Sequence, residues 1–107
     1  MTVDDPGTID AAGIDRLTDE VVLTIFDHFA WNDTREHLLT LQEKLNRYLG
    51  FLEAGEMVEA YPEGIGKKVR IDVIFRHHPP TEAEDFLKSA AVIALEYEAT
   101  LTWRVYS

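Results

Sequence analysis

The feature that most constrains the fold is a long amphipathic helix pattern in the middle of the chain. The segment Asp33-Thr34-Arg35-Glu36 is typical of a helix N-terminus, because the Asp33 carboxylate can accept from a first-turn amide while Glu36 reaches back. Gly55 marks the predicted end, since glycine readily takes the left-handed conformation of a C-terminal cap. Apolar residues between them recur at spacings of three and four, which places them on one side of a helix. This stripe contains Leu38, Leu41, Leu45, Tyr48, Leu49 and Leu52.

Strand-like segments lie on both sides of this helix. Val21 to Phe26 consists mainly of β-branched and aromatic residues, which favour a strand. Residues 56–66 contain Pro62 and two glycines and are predicted to form a loop. Lys68 to Arg76 then alternates between two faces. One face carries Val69, Ile71, Val73 and Phe75, and the other carries Arg70, Asp72, Ile74 and Arg76.

Three further elements complete the predicted order. Residues 8–14 form a short strand that pairs with the Val21 strand in a hairpin, because the connection is short. After Pro79-Pro80, the segment Thr81-Glu82-Ala83-Glu84 indicates a second capping box, and an amphipathic helix follows it. Residues 100–106 alternate again and form a closing strand. The apolar side of the second helix carries Ala83, Phe86, Leu87, Ala90, Ile93 and Ala94.

The order ββαβαβ predicts an α+β fold, a two-layer sandwich. Two helices with one apolar face each cover one face of a four-stranded mixed sheet. With 107 residues the chain fits one domain, predicted to span residues 8–107 after a flexible polar lead at residues 1–7.

Charge and composition exclude several function classes. The chain has 20 acidic and 10 basic side chains, a formal net charge of -10, so nucleic acid and anionic membranes are disfavoured as partners. A basic or metal-bearing protein partner is more compatible with this charge. The chain has no cysteine, which rules out disulfides, thiolate zinc sites and a cysteine nucleophile. No apolar run reaches the roughly 20 residues that span a bilayer, and the acidic start does not resemble a secretory signal, so we predict a cytoplasmic protein.

The middle of the chain resembles a family of small bacterial proteins of unknown function. The resemblance lies in the segments Asp27-His28-x-x-Trp31 and His37-Leu38-x-x-Leu41-Gln42-x-Lys44-Leu45-Asn46-x-Tyr48-Leu49, and it continues through Tyr61-Pro62. It covers roughly residues 9–103. The resemblance implies a bacterial source and a single-domain fold, and it implies no activity. Where relatives carry a glycine before the last strand, this chain has Glu96-Tyr97-Glu98.

One candidate site is rich in histidine. If the second and third strands run parallel, the residues that follow them meet at the edge where open α/β sheets bind ligands. Histidine with aspartate can bind a metal or transfer protons, but the spacing matches no metal motif. The alternative is structural: a histidine bonds to a loop carbonyl or carboxylate, and Trp31 packs over the helix start. The residues concerned are Asp27, His28, Trp31, His37, His77 and His78.

A second candidate is the sheet face that the helices leave uncovered. Arginine and aromatic side chains on one face of an acidic protein favour a partner surface, because both are enriched at binding hot spots. The alternative is a solvated face whose arginines pair with acids such as Asp72. The surface consists of Arg70, Ile74, Arg76, Thr102, Arg104 and Tyr106, joined by one of the two faces of the Val21 strand.

Two other segments carry weaker signals. Gly64-Ile65-Gly66-Lys67 lacks the first glycine and the Ser or Thr of a phosphate loop, and a strand rather than a helix follows it. The acidic stretch Glu53, Glu56, Glu59 and Glu63 is either a solvated turn or an attraction for a basic partner.

We therefore predict a non-enzymatic interaction module, either a homo-oligomer or a binder of another protein, with an immunity- or antitoxin-like role as one form. The alternative is a small-molecule or metal-binding domain that uses the histidine edge. No cofactor is predicted.

Overall fold

The computed structural model describes residues 11–106, without the side chains of residues 58 and 60. The predicted lead at residues 1–7 and the first three residues of the predicted first strand lie outside this range. The elements in chain order are β1 (Ala11–Asp15), β2 (Glu20–Asp27), α1 (Thr34–Glu53), α2 (Glu56–Ala60), β3 (Lys68–Phe75), α3 (Thr81–Glu96) and β4 (Ala99–Val105). The predicted α+β fold with a four-stranded mixed sheet is confirmed.

The sheet follows the order of the sequence, β1-β2-β3-β4. β1 and β2 form the predicted antiparallel hairpin, in which Ile14 lies opposite Val21. β2 pairs in parallel with β3, and β3 pairs in parallel with β4. The carboxyl ends of three strands therefore meet at one edge, which is the condition that the histidine hypothesis required.

The core lies between one face of the sheet and the helices. The side chains of β2 and β3 alternate, as predicted, so that one face is buried and the other is not. α1 contributes the predicted apolar stripe, and the Tyr48 hydroxyl donates to the Thr24 carbonyl at 2.7 Å, which ties the helix to β2. The largest fully buried apolar side chains include Leu23, Ile25, Leu41, Tyr48, Ile71, Val73 and Phe75.

The ends of α1 agree with the sequence. The Asp33 side chain is the N-terminal cap and accepts from the Glu36 amide at 3.2 Å. Gly55 follows the helix with φ of 74°, the left-handed conformation that glycine adopts without steric cost.

Two local predictions were wrong. Residues 56–66 were expected to form a plain loop, but they contain α2 and a 3-10 turn at Pro62–Gly64. Met57 of α2 is buried in the core, and burial of apolar surface explains why this segment folds back. The second capping box is absent, because Thr81 is already helical and Pro80 occupies the cap position without a side-chain hydrogen bond. The Pro80 carbonyl accepts from Ala83 and Glu84 instead.

The turn before β4 is left-handed at Glu98, where φ is 59°. Glycine is the residue that takes this conformation at least cost, so Glu98 holds a backbone geometry that is unusual for a residue with a side chain. In the described part of the chain, no helix is both long and apolar enough to cross a bilayer.

Candidate functional site

The face of the sheet opposite the helices, here called the open face, is not covered by any element of residues 11–106. The register assigns to it Val22, Thr24 and Phe26 from β2, which settles the choice that the sequence left open. β3 adds their pairing partners, Arg70, Asp72 and Ile74, and Arg76 follows just beyond the strand. β4 adds Thr100, Thr102 and Arg104.

A groove of about 680 Å³ lies on the open face at the carboxyl edge of the parallel strands. It joins the two candidate sites that the sequence suggested, since it contains residues of both. The floor is apolar and the cationic groups lie around it. The lining residues are Phe26, Asp27, His28, Ile74, Arg76, Arg104, Val105 and Tyr106.

The groove cations are only weakly neutralised. Arg76 is exposed, and no carboxylate among residues 11–106 forms an ion pair with it. Arg104 approaches Asp72 with an Nε–Oδ2 distance of 3.7 Å, and its side chain is 69% exposed, so this pair contributes little. A groove with two available guanidinium groups suits an anionic and partly apolar ligand.

Arg70 differs from the other two arginines of the predicted surface. Its guanidinium donates to Glu20 at 2.8 Å and to Asp15 at 3.1 Å, which joins β3 to both strands of the hairpin. The backbone amide of Leu17, and after it the Arg70 guanidinium, hold the Asp15 carboxyl at a pKa below its ordinary value. Arg70 is therefore already occupied by contacts within the chain. Thr102, also in the predicted surface, donates to Asp72 at 3.3 Å.

The histidine edge divides into a closed cluster and an exposed rim. In the cluster, His37 Nε2 lies 2.5 Å from Asp27 Oδ2, and both residues are buried. The Trp31 ring stacks on the His37 ring with centroids 3.6 Å apart, and its indole donates to the His77 carbonyl at 3.1 Å. These contacts correspond to the structural alternative, in which a histidine bonds to a carboxylate and Trp31 packs over the helix start.

The rim consists of side chains that face solvent. His28, His77 and His78 are exposed, and only His28 lines the groove. The His78 ring meets Trp103 edge-on with centroids 6.1 Å apart. Within residues 11–106, no three histidine, aspartate or glutamate side chains are placed as metal ligands. A metal at this edge would have to draw on other donors.

Burial raises the pKa of the Asp27 carboxyl above its ordinary value of 3.8. The His37 ring and the Phe29 amide, which donates at 3.2 Å, oppose this shift without cancelling it. Desolvation disfavours the charged carboxylate, so the folded protein retains the proton to a higher pH than the unfolded chain.

This shift predicts a pH dependence of stability. Because the folded state binds the Asp27 proton more tightly, the stability that it contributes is full below about pH 3.8 and is lost as pH rises through the folded pKa. The variant Asp27→Asn lacks this titration, so its free energy of unfolding is expected to gain on wild type as pH rises above 3.8. Urea denaturation from pH 3.5 to 7 measures the difference. A difference that stays flat, or that moves in the opposite direction, would contradict the assignment.

Two features of this region were not resolved by the sequence. Phe26 lies on one of the two β2 faces between which the sequence did not decide, and Val105 was not included in the predicted surface; both line the groove. Lys44 is fully buried on α1, with Nζ 5.6 Å from the centre of the Tyr48 ring. A charged residue in a helix is normally exposed, so the pattern gave no signal for its burial.

Comparisons with known proteins identify a family and no activity. The model of DUF6572, described as a family of unknown function, matches residues 1–107. No curated protein matches the chain, and no solved structure matches it.

Proposed function

The chain belongs to the DUF6572 family, and we propose that it is a non-enzymatic interaction module whose groove binds an acidic, partly apolar segment of a partner protein. The observation that carries this proposal is the pair of exposed guanidinium groups, Arg76 and Arg104, beside an apolar floor. The rest of the molecule is strongly acidic, so a local cationic groove stands out against a net charge of -10. This contrast favours a partner with carboxylates facing the groove.

The apolar part of the groove adds the contact area that charges alone do not supply. Tyr106 is 66% exposed and Phe26 is 40% exposed, and both lie on the open face. Exposed aromatic side chains next to arginine are the residue types that carry most of the energy at protein interfaces. The surface predicted from the sequence is therefore retained in this proposal, with the weight moved from Arg70 to Arg76 and Arg104.

The test is affinity capture from a lysate of the native organism, followed by a direct measurement. The wild-type chain is compared with Arg76→Glu/Arg104→Glu, which reverses both groove charges. Arg35→Glu/Arg47→Glu is the matched control, because it makes the same charge change at exposed positions of α1. We expect one protein to be retained by wild type and control and lost by the groove variant. The purified partner should then bind the wild-type chain, with an affinity that is at least tenfold lower for the groove variant and that weakens as salt is added.

A protein retained equally by all three chains would overturn the groove as the binding surface. An immunity- or antitoxin-like role against a basic partner predicts a different pattern, since a basic protein requires the acidic part of the surface. Such a partner would be kept by the groove variant and bound at least as tightly by both glutamate variants.

A small anionic molecule is the second candidate for the groove. Two observations favour it: the volume lies within the range of small-molecule sites, and the groove lies at the carboxyl edge of parallel strands. Inorganic phosphate is a suitable first probe, with zinc as the probe for the histidine rim. A rise in melting temperature with phosphate that disappears in Arg76→Glu/Arg104→Glu would support this candidate, and no rise with either probe would remove it.

A further inference from the structure

We propose that a second copy of this chain pairs with the outer edge of β4 in an antiparallel, twofold-symmetric arrangement that makes one eight-stranded sheet. This inference goes beyond the groove proposal and does not depend on it.

The first observation is the direction of the β4 backbone. The Tyr106 amide donates to the Phe75 carbonyl at 2.7 Å, so it points toward β3. Backbone groups alternate sides along a strand, and the amides of Leu101, Trp103 and Val105 therefore point away from the sheet. β4 is the last strand of the sheet in residues 11–106, and these outward groups pair with no described strand.

The second observation is that this edge lacks the usual protection. Natural edge strands are blunted by proline, lysine, bulges or short length. β4 is seven residues long and has neither proline nor lysine; its one charged side chain, Arg104, lies on the open face. Its pairing with β3 is continuous from Ala99 to Val105 without a bulge. Such an edge is a template for another strand.

The sequence of β4 is complementary to itself in an antiparallel register, which favours another β4 as the second strand. If the twofold axis passes beside Trp103, the outward groups of Leu101 face those of Val105 in the other copy, and Trp103 faces itself. All three residues have outward backbone groups, so each pair exchanges both hydrogen bonds. On the buried face this register places apolar residues opposite apolar residues, which extends the core layer across the axis.

Charge on the open face is complementary in the same register. Thr102 of one copy lies opposite Arg104 of the other. Directly behind Thr102 is Asp72 on β3, its register partner. Each Arg104 would thus face a carboxylate across the axis, in addition to its long 3.7 Å approach to Asp72 in its own chain.

The outer flank of α3 continues this contact surface. Phe86, Ala90 and Ile93 face α1, since they line the cleft between the two helices. The opposite flank of α3, a helix that packs on β4, faces away from α1 and carries residues at spacings of four and three, Glu84, Lys88, Ala91 and Leu95. Leu95 is 61% exposed there. A second copy would cover this apolar side chain together with the strand edge.

The absence of cysteine in the chain allows a direct test of the register. In the double variant Thr102→Cys/Arg104→Cys, each cysteine faces its counterpart across the axis at the roughly 5 Å that a disulfide spans. In either single variant the two cysteines are separated by more than about 7 Å and cannot be joined. We expect mild oxidation to give a covalent dimer in the double variant and monomers in the single variants, on a non-reducing gel.

Sedimentation of the unmodified chain gives the second readout. We expect a dimer of twice the chain mass of 12.2 kDa. Two substitutions should change its dissociation constant in opposite directions. Thr102→Glu places a carboxylate opposite Arg104 and should tighten the dimer several-fold, whereas Thr102→Arg should weaken it. Their effects on the free energy of unfolding should have the reverse order. Within each chain, Asp72 repels a glutamate at position 102 and attracts an arginine there.

A monomer at 100 μM, or cross-linking that is as efficient in the single variants, would overturn the proposal. Arg76→Glu/Arg104→Glu complicates the comparison because Arg104 belongs to both surfaces, so Arg76→Glu alone separates them. It should weaken partner binding and leave the dimer unchanged.

Discussion

Replacing His37 with alanine is expected to lower the free energy of unfolding by about 3–5 kcal/mol. The substitution leaves the buried Asp27 carboxyl without the imidazole that lies 2.5 Å away, and it removes the ring on which Trp31 stacks. Asp27 is 1% exposed, so loss of the imidazole leaves its carboxyl poorly solvated. Denaturation in urea at pH 7, followed by circular dichroism, measures the change.

Two variants separate the pair from general effects of substitution. His37→Gln retains a side-chain amide that can reach Asp27, so it should recover part of the loss. His28→Ala removes an exposed histidine nearby and should change stability by no more than about 0.5 kcal/mol. If His37→Ala were no more harmful than His28→Ala, the buried pair would not contribute to stability.

The second large effect is expected at Gly64, where alanine should destabilise the fold by about 1–3 kcal/mol. A Cβ atom at this position would lie 2.7 Å from Val21 Cγ2 and 3.2 Å from Met57 Sδ. The turn that contains Gly64 is thus pressed against β2 and α2, and a methyl group would force them apart. Thermal unfolding of Gly64→Ala measures this cost.

Gly13→Ala is the matched control, since nothing lies within 4 Å of the Cβ that it would add. If the two variants melted at the same temperature, the close approach would not limit packing. Gly64, which lies in the segment that resembles part of a phosphate loop, would then have no structural explanation.

The elements that sequence reasoning predicted well share a property: their signal is local. The spacing of Leu41, Leu45 and Tyr48 is enough to orient α1, and Asp33 caps it wherever the helix packs. The alternation in β3 assigned its two faces for the same reason. The features that could not be predicted from the sequence depend on contacts with residues distant along the chain. The face of Phe26 and the ion pairs of Arg70 both follow from strand pairing.

The candidate site shows the same limit. Asp27 and His37 were named as neighbours of one edge, but only packing reveals that they form a closed pair under Trp31 while His28 stays at the surface. α2 was missed because Pro62 and the two glycines that follow it indicated a loop for the whole of residues 56–66, whereas the burial of Met57 favours a helical turn at Glu56–Ala60. A capping box was predicted at Thr81. In the structure the backbone carbonyl of Pro80, rather than a side chain, accepts from the first-turn amides.

The strand order bears on how the chain folds as it leaves the ribosome. Each strand pairs only with the strands that precede and follow it in the sequence, so no strand has to insert between two that are already joined. The sheet can then grow from the N-terminus by adding one strand at a time, although only the β1–β2 hairpin is local, since the parallel pairs Glu20–Lys68 and Val69–Ala99 each join distant parts of the chain across a helix. Among the strands of residues 11–106, β4 is synthesised last, so the edge of β3 has no partner strand until β4 pairs with it.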